Sequence, residues 1–522
     1  MNSGSAPVTT PSAKRAPRWH AWHFFIATLA LAALAFGAVQ LYAPQAGISI
    51  EQVNIGAVPL RVYQPLGDQP APVAVIAHGF AGSQQMMQSF ALALAGNGYV
   101  AVTFDFPGHG QHRAPLGGNL GTLERAASLL AAMDTAVSYA HSLPQGDGRL
   151  ALLGHSMAGD ILARYAAQHP EIIQANVAIS PYFAQPETVS AVPNLMVIYG
   201  ALEPEAAKAQ GIDALGDLTQ PTAEDFAAGK ARRLLFADKV EHIGVLYSTE
   251  ALHAAVDWLN TSFSRTCNQQ LTSRASALGW LYAGLLLLAA PLARLLPQVS
   301  RTPIGPGVGW QQLINIILLP MLLTPVLLRL LPTDFLPLVI GDYLALHFAV
   351  YGLLTLLGLS WAGLWPPRLV NATAKVSGLG LIVALVLWAG YTLLAIGLPT
   401  QSFVASFFPE PQRWSMVLPL FAGTTLYFIA DAWLTAGTGR AFGGYILTTL
   451  AFLLSLALAV VLNLNELFFL IIIVPAMLVL FVIFGWLSRC SYAWTGHPLV
   501  GAVANALALA LVMTATFPVI AP

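Results

Sequence analysis

The sequence has little charge and almost no cysteine. Only 9% of its 522 residues are charged, against about a quarter in an ordinary soluble protein. Its 23 Lys and Arg nearly balance its 24 Asp and Glu, and a net charge of −1 does not point to a nucleic-acid partner. The two cysteines, Cys267 and Cys490, exclude a disulfide framework and a metal site built from several thiolates.

The charge is also unevenly placed, because most of it precedes residue 265. Eight apolar stretches follow, each about 20 residues long and therefore able to cross a hydrocarbon core of ~30 Å. A ninth, over residues 21–43, follows the basic tail of residues 1–20 and is longer than the apolar core of a cleaved signal peptide. We therefore predict a cytoplasmic tail, a signal anchor and a polytopic membrane domain over residues 275–522.

Between the anchor and the membrane domain, residues 48–262 alternate apolar strands with amphipathic helices. Continuous apolar runs such as "APVAVIAHG" and "RLALLGHS" are typical of strands buried on both faces. Strands that alternate with helices predict a mostly parallel sheet with helices on both sides. The earlier segments "ISIEQVNI" and "VPLRVYQP" are expected to form an antiparallel pair at the edge of this sheet.

The stretch "RLALLGHSMAGD" carries a candidate nucleophile, Ser156. Gly154-His155-Ser156-Met157-Ala158 is a near match to G-x-S-x-G, the sharp strand-to-helix turn that exposes a serine hydroxyl above a sheet. Ala158 departs from the glycine of the motif but is still small. The apolar strand before it and the helical stretch after it are the context that the motif requires.

Two backbone N–H groups are candidates for the oxyanion hole. Phe80 follows His78-Gly79 at the end of an earlier strand, and Met157 follows the serine. An N–H of the residue after the nucleophile, together with one from an earlier strand–helix loop, can stabilise a tetrahedral oxyanion.

The general base is expected to be a histidine near the end of the domain. His242 falls after a short apolar strand and before the last amphipathic helix, which places it in a loop at the carboxyl edge of the sheet. His253 is the rival, but it lies within that helix. For the acid that orients the histidine, Glu203 is best placed after the strand "NLMVIYG", and Glu205 and Asp213 remain open.

The chain order Ser156, Glu203, His242 is that of α/β-hydrolases, and residues of roughly 50–262 resemble that superfamily, most of all its compact, dienelactone-hydrolase-like members. The resemblance rests on "HGF" at 78–80, "DFPGHG" at 105–110, "GHSMAG" at 154–159 and the pair of "GALE" and "EH" that ends at His242. It implies an α/β-hydrolase fold and a serine nucleophile. The membrane half resembles no family that we can name.

Two other features have plainer interpretations. Asp105, Gly108 and Gly110 resemble an architectural loop of the family, and His109 and His112 lie there without the carboxylates that a metal site needs. We therefore expect neither a metal nor a cofactor. The segment "ISPYFAQPETVSAVPNL", where many hydrolases insert a cap, is short and predicts an open site that a long or membrane-borne substrate can reach.

These residues predict a membrane-bound serine hydrolase that cleaves carboxylic esters of small-molecule or lipid type through an acyl-enzyme. Amides, thioesters and acyl transfer remain open, as does the oligomeric state. The alternative is a transporter or lipid-handling membrane protein in which the hydrolase-like domain is regulatory or degenerate. Within the bundle, Asp342 and Asp431, with His347 near the first, are expected to lie close to the membrane boundaries rather than on a substrate or proton route.

The orientation follows from the basic residues, which concentrate in alternate loops. Lys14, Arg15 and Arg18 are expected to hold the N-terminus in the cytoplasm. The loops predicted on the same side carry Arg294, Arg301, Arg368, Lys375, Arg440 and Arg489. The opposite loops carry only Arg329 and Arg413. This pattern predicts a bacterial cytoplasmic-membrane protein whose hydrolase domain and Cys267 face away from the cytoplasm, with Cys490 on the cytoplasmic side.

Overall fold

The computed structural model describes residues 21–67, 69–118, 122–216, 220–266, 271, 273–367 and 375–521. An α/β domain precedes a helical region, as the sequence predicts. The expected cytoplasmic tail, with Lys14, Arg15 and Arg18, lies outside the described residues, and so do Cys267 and Arg368.

The α/β domain is built on one eight-stranded sheet in the order β1-β2-β4-β3-β5-β6-β7-β8. Strands β3 to β8 run parallel, and the predicted antiparallel pair β1–β2 is confirmed at one edge. The strands are β1 (Ile48–Ile55), β2 (Val58–Pro65), β3 (Ala71–Ala77), β4 (Val100–Phe104), β5 (Gly146–His155), β6 (Ile173–Ile179), β7 (Leu195–Gly200) and β8 (Arg232–Ala237).

Helices cover both faces of this sheet, so the central strands are buried throughout. Two separate apolar cores result, one on each face, which is why these strands are continuous apolar runs rather than alternating ones. After the first helix α1 (Ala21–Tyr42), the helices of the domain are α2 (Gln88–Gly96), α3 (Leu123–His141), α4 (Met157–Gln168), α5 (Glu205–Leu215), α6 (Ala223–Ala227) and α7 (Thr249–Ser262).

The rest of the chain is helical. Among the described residues, nine helical segments, α1 included, are long and apolar enough to cross a membrane. Helices α11 and α12 form one of them through a π-helical turn at Leu393–Gly397. The helices are α8 (Arg274–Ala293), α9 (Trp310–Leu330), α10 (Gly341–Trp361), α11 (Gly378–Thr392), α12 (Leu398–Phe403), α13 (Trp414–Leu434), α14 (Gly444–Leu462), α15 (Leu464–Leu467), α16 (Leu470–Thr495) and α17 (Leu499–Thr516).

Helix α1 packs against α8, the first helix after the α/β domain. A methyl group at Gly37 would come within 2.6 Å of the Leu281 backbone nitrogen, and one at Gly284 within 2.7 Å of the Ala30 carbonyl oxygen. Glycines at these two points allow the backbones to approach closely, as small residues do between helices in lipid. The N-terminal helix is thereby joined to the bundle rather than isolated from it.

The α/β domain sits on one end of the bundle and is joined to it by hydrogen bonds. The Arg413 guanidinium is buried and donates to the Gly108 carbonyl of the α/β domain and to three carbonyls near the end of α17. The Gln88 side chain donates to the Ser402 carbonyl at 2.9 Å. These contacts bring the loops after β3 and β4 against the bundle.

The chain after α17 reinforces this junction. The Val519 N–H donates to the Gly108 carbonyl at 2.9 Å, and its own carbonyl accepts the Leu116 N–H at 2.8 Å. The same segment pairs with Leu338, between α9 and α10. One extended segment therefore pairs with both parts of the molecule.

Candidate active site

Ser156 lies at the turn between β5 and α4, in a backbone conformation that few residues other than glycine adopt. Its φ and ψ angles are +54° and −117°. A methyl group at Gly154 would come within 2.7 Å of the Ala158 carbonyl oxygen, so the strand and the helix cross in contact on either side of the serine. Such strain is held in place by the surrounding structure and is typical of functional sites.

His242 and Glu203 lie beside this serine in a hydrogen-bonded series. The distance from Ser156 Oγ to His242 Nε2 is 3.0 Å, and that from His242 Nδ1 to Glu203 Oε2 is 2.9 Å. His242 follows β8 and Glu203 follows β7, so the parallel sheet brings the two loops to one edge. The hydroxyl can donate to Nε2 while Nδ1–H donates to the carboxylate, which is the polarity that nucleophile activation requires.

The second oxygen of the Glu203 carboxylate is held by two donors. Its Oε1 accepts the Ser180 hydroxyl at 2.6 Å and the Gly200 N–H at 2.7 Å. Glu203 itself is buried. Ser180 was not singled out in the sequence, although its place immediately after β6, next to the strand that leads to the acid, is a signal that could have found it.

The rival residues lie elsewhere. The Glu205 side chain is 91% exposed and pairs with Lys208. Asp213 is exposed on α5, and His253 is exposed on α7. Hydrogen-bond geometry therefore separates Glu203 and His242 from residues that the sequence alone could only rank.

The loop after β3 lies directly against the serine. A methyl group at Gly79 would come within 2.8 Å of Ser156 Cβ, so only glycine fits there without a shift. The next residue is Phe80, whose backbone N–H is the first of the two candidate oxyanion donors. Met157 is the first residue of α4, where N–H groups have no acceptor within the helix.

His78 fixes this loop from behind. Burial lowers its pKa, so the ring is neutral near pH 7. Its Nε2 accepts the Phe106 N–H at 3.1 Å, which leaves Nδ1–H to donate to the Gly79 carbonyl at 2.8 Å. The ring thus ties the backbone beside the serine to the end of β4.

His155, the residue before the serine, holds the loop of the candidate base. Its Nε2–H donates to the His242 carbonyl at 2.9 Å, while its Nδ1 is buried without a protein partner. Burial lowers its pKa to about 3, and the nearby His242 acts in the same direction. His155 is therefore a neutral positioning residue, a role that its place in the motif does not reveal.

The loop that contains Asp105 is architectural. The Asp105 carboxylate accepts the backbone N–H groups of Gln84 and Gln111 at 2.7 and 2.9 Å, and a methyl group at Gly110 would collide with it. Burial lowers the pKa values of His109 and His112, and each ring contacts nearby backbone. Among the described residues, no group of three or more His, Cys, Asp or Glu side chains is arranged to hold a metal ion.

The site is roofed by the helical bundle, which the prediction of an open site did not anticipate. A small cavity of about 40 Å³ beside Ser156 is lined from the α/β domain by Gly79, Phe80 and His242 among others. Its opposite wall consists of Phe469, Ile472 and Ile473, at the start of α16. Sequence reasoning missed these residues because nothing in an apolar span marks the turn that meets a distant loop.

Comparison with known proteins found similarity to hydrolases in the first part of the chain. Residues 68–220 match the model of the family described as serine aminopeptidase, S33. A dienelactone hydrolase from Anabaena variabilis is 17% identical, with 41% of this chain and 97% of that chain covered and a TM-score of 0.32. Est1E from Butyrivibrio proteoclasticus is 15% identical, with 41% and 99% covered and a TM-score of 0.31.

The fold and the family match together define the class of protein. The first part of the chain has the α/β-hydrolase fold, as the sequence resemblance implied. The chain is, more particularly, a hydrolase domain joined to a helical region with candidate membrane spans.

Proposed function

We propose that the protein is a membrane-bound serine esterase whose triad is Ser156, His242 and Glu203. The observation that carries this proposal is the hydrogen-bonded series from Ser156 Oγ through His242 to Glu203, with distances of 3.0 and 2.9 Å, at the head of a strained strand-to-helix turn. In this series the partly exposed histidine can take the proton of the serine hydroxyl, and the buried acid can stabilise the charge that results.

In the first half-reaction, Ser156 Oγ attacks the ester carbonyl as His242 Nε2 takes its proton. Glu203 stabilises the imidazolium, and the N–H groups of Phe80 and Met157 donate to the oxyanion. The C–O bond to the alcohol then breaks, His242 returns the proton to the departing oxygen, and an acyl-serine remains. Water, deprotonated by the same histidine, releases the acid and regenerates the serine. No cofactor takes part.

The nine apolar spans of the described residues and the concentration of basic residues in alternate loops support the following organisation. The hydrolase domain comprises residues 48–262, the signal anchor residues 21–43, and the polytopic domain residues 275–522. The protein resides in a bacterial cytoplasmic membrane, with the hydrolase domain on the extracytoplasmic side.

The test uses the purified full chain with a fluorophosphonate probe and p-nitrophenyl acetate. We expect wild type to be labelled, and Ser156→Ala to lose all labelling and at least about a thousandfold in kcat. His242→Ala should be nearly as damaging, whereas the matched variant His253→Ala, on an exposed helix face, should stay within about twofold. An unlabelled wild type would favour the alternative of a transporter or lipid-handling protein with a degenerate hydrolase domain.

A further inference from the structure

The contact between the bundle and the catalytic loop is a direct one. The Phe469 ring, just before α16, stacks on the Phe80 ring with centroids 4.1 Å apart and an interplanar angle of 25°. The N–H of Phe80 is the proposed oxyanion donor. A residue of the bundle thus packs on the residue that holds the reacting carbonyl.

The wall that the bundle contributes is entirely apolar. Phe469, Ile472 and Ile473 face Ser156 across the cavity. Three such side chains offer no hydrogen bond to a polar substrate group, but they gain free energy when they remove hydrocarbon from water. This wall therefore suits the hydrocarbon part of an ester.

The opposite side of the same turn faces outward. Phe468 and Ile471 are 50% and 53% exposed, although each is next in sequence to a residue of the cavity wall. Because α16 is long and apolar enough to cross a membrane, exposed apolar side chains at its start suit contact with lipid or with the membrane boundary. Less than one helical turn separates the lipid-facing surface from the surface that faces the serine.

We propose that Phe469, Ile472 and Ile473 form the acyl-chain wall of the active site, and that the substrate is a long-chain ester presented by the bilayer. This deepens the proposed function and rests on it. The cavity of about 40 Å³ is far smaller than the roughly 300–1,000 Å³ of a ligand pocket. A long acyl chain therefore fits only when side chains of this wall move aside, and Phe469, which stacks on Phe80, is one of them.

The first test maps the path of the chain. A fluorophosphonate with a decyl tail and a mid-chain diazirine is added to the full-length protein in phosphatidylcholine vesicles, irradiated and analysed by mass spectrometry. We expect the tail to crosslink within residues 468–473 in wild type and to give no crosslink in Ser156→Ala. Labelling of Ser156 with crosslinks confined to the α/β domain would overturn the acyl-wall proposal while leaving the esterase intact.

The second test changes the size of the wall. Ile473→Trp adds bulk to the cavity, and its matched control Ile471→Trp adds the same bulk to the exposed side of the same turn. We expect the ratio of kcat/KM for p-nitrophenyl decanoate over acetate to fall about tenfold or more in Ile473→Trp, and to stay within about twofold in the control. An unchanged ratio in both variants, or an equal fall in both, contradicts the proposal.

The third test identifies the source of the ester. Wild type reconstituted in vesicles of acyl-labelled phosphatidylcholine should release labelled fatty acid, and Ser156→Ala should not. Cleavage of micellar p-nitrophenyl decanoate without release of labelled fatty acid from the vesicles would overturn the bilayer as the source of the ester. The wall would then bind the chain of an ester that diffuses in from solution. Wild type that neither reacts at Ser156 nor hydrolyses acetate would instead refute the esterase proposal itself.

Discussion

Ser180 shows how one side chain can position a member of the proposed triad from outside it. Its hydroxyl and the Gly200 N–H hold one oxygen of Glu203, which leaves the other oxygen directed at His242. A rotated carboxylate would weaken the support for the imidazolium. In the proposed mechanism, Ser180 therefore acts through Glu203 rather than by contact with the substrate.

We expect Ser180→Ala to lower kcat for p-nitrophenyl acetate by about tenfold or more, because a hydrogen bond to a charged group contributes roughly 1.5–3 kcal/mol. KM should change little, and Ser180→Thr should restore part of the rate. Ser190→Ala is the matched control, since that hydroxyl is exposed and donates to the nearby Glu187 carbonyl. A fall in thermal stability with an unchanged kcat would assign Ser180 a purely structural role.

The buried His155 predicts a dependence of stability on pH. Its pKa falls from an ordinary 6.5 to about 3 in the folded protein, so the unfolded chain binds more protons between these values. The contribution of His155 to the free energy of unfolding is therefore fully present above pH 6.5 and is lost as the pH falls toward 3. We expect the melting temperature of His155→Gln to fall less steeply than that of wild type between pH 7 and pH 5. Parallel curves would contradict this assignment.

The two acids that lie within candidate membrane spans are both buried, at 6% exposed for Asp342 and 5% for Asp431, so neither side chain is open to solvent. Asp342 lies in the first turn of α10, where its Oδ1 accepts the Tyr343 N–H at 2.8 Å and its Oδ2 accepts the Leu336 N–H at 3.4 Å. The single amide oxygen of an asparagine can keep the shorter of these two bonds. Neither residue lines the cavity at Ser156.

We expect Asp342→Asn and Asp431→Asn to keep hydrolysis of p-nitrophenyl acetate within about twofold of wild type, because neither carboxyl touches the candidate site. The measurement is kcat/KM of folded protein, checked by gel filtration. Loss of activity in a folded variant would mean that the interior of the bundle is coupled to catalysis.

At the scale of elements, Arg413 makes several of the hydrogen bonds at the junction between the domains. Arg413 and Arg329 are the two basic residues that the sequence assigns to the loops on the hydrolase side. The structure shows that the Arg413 guanidinium is used internally, with four backbone carbonyls as acceptors, whereas Arg329 is exposed. Its planar fork suits several acceptors in fixed directions, which an ammonium cannot match.

Arg413→Lys should therefore loosen the segment of residues 517–521 from the loop of residues 108–116. We expect a melting temperature lower by several degrees and faster proteolysis of that segment. Arg329→Lys, an exposed control with the same change of side chain, should behave as wild type. Equal sensitivity of the two variants would show that the carbonyl contacts contribute little.

At the scale of the whole molecule, the orientation of the hydrolase domain can be measured with introduced cysteines. Cys490 is buried, so its failure to react would not report which side of the membrane it faces, and Cys267 lies outside the described residues. Exposed positions serve better: Ser190→Cys in the hydrolase domain and Thr438→Cys in the loop between α13 and α14, each in a background without native cysteines.

In intact cells or spheroplasts, a membrane-impermeant maleimide should label Ser190→Cys and spare Thr438→Cys, because the basic loops are held in the cytoplasm. Permeabilised cells should label both, which confirms that each thiol is reactive. The reverse pattern in intact cells would invert the orientation.

The sequence by itself determined the fold class, the edge pair of strands and the number of apolar spans. Each of these depends on local periodicity and length, which are written along the chain. The small residues around Ser156 could also be explained from the sequence, because the strand and the helix approach too closely at this motif to admit larger side chains. Glu203 and His242 could be ranked from their positions after strands, since parallel strands bring their carboxyl ends to one edge.

Only the tertiary structure decided what surrounds those residues. Ser180 and His155 act through partners that are 23 and 87 residues away in sequence, and Phe469 meets Phe80 across most of the chain. Such contacts leave no periodic trace, because a membrane helix is apolar on every side whether it faces lipid, another helix or a candidate active site. The predicted open site was therefore wrong for a physical reason: its roof belongs to the half of the chain whose sequence carries the least local information.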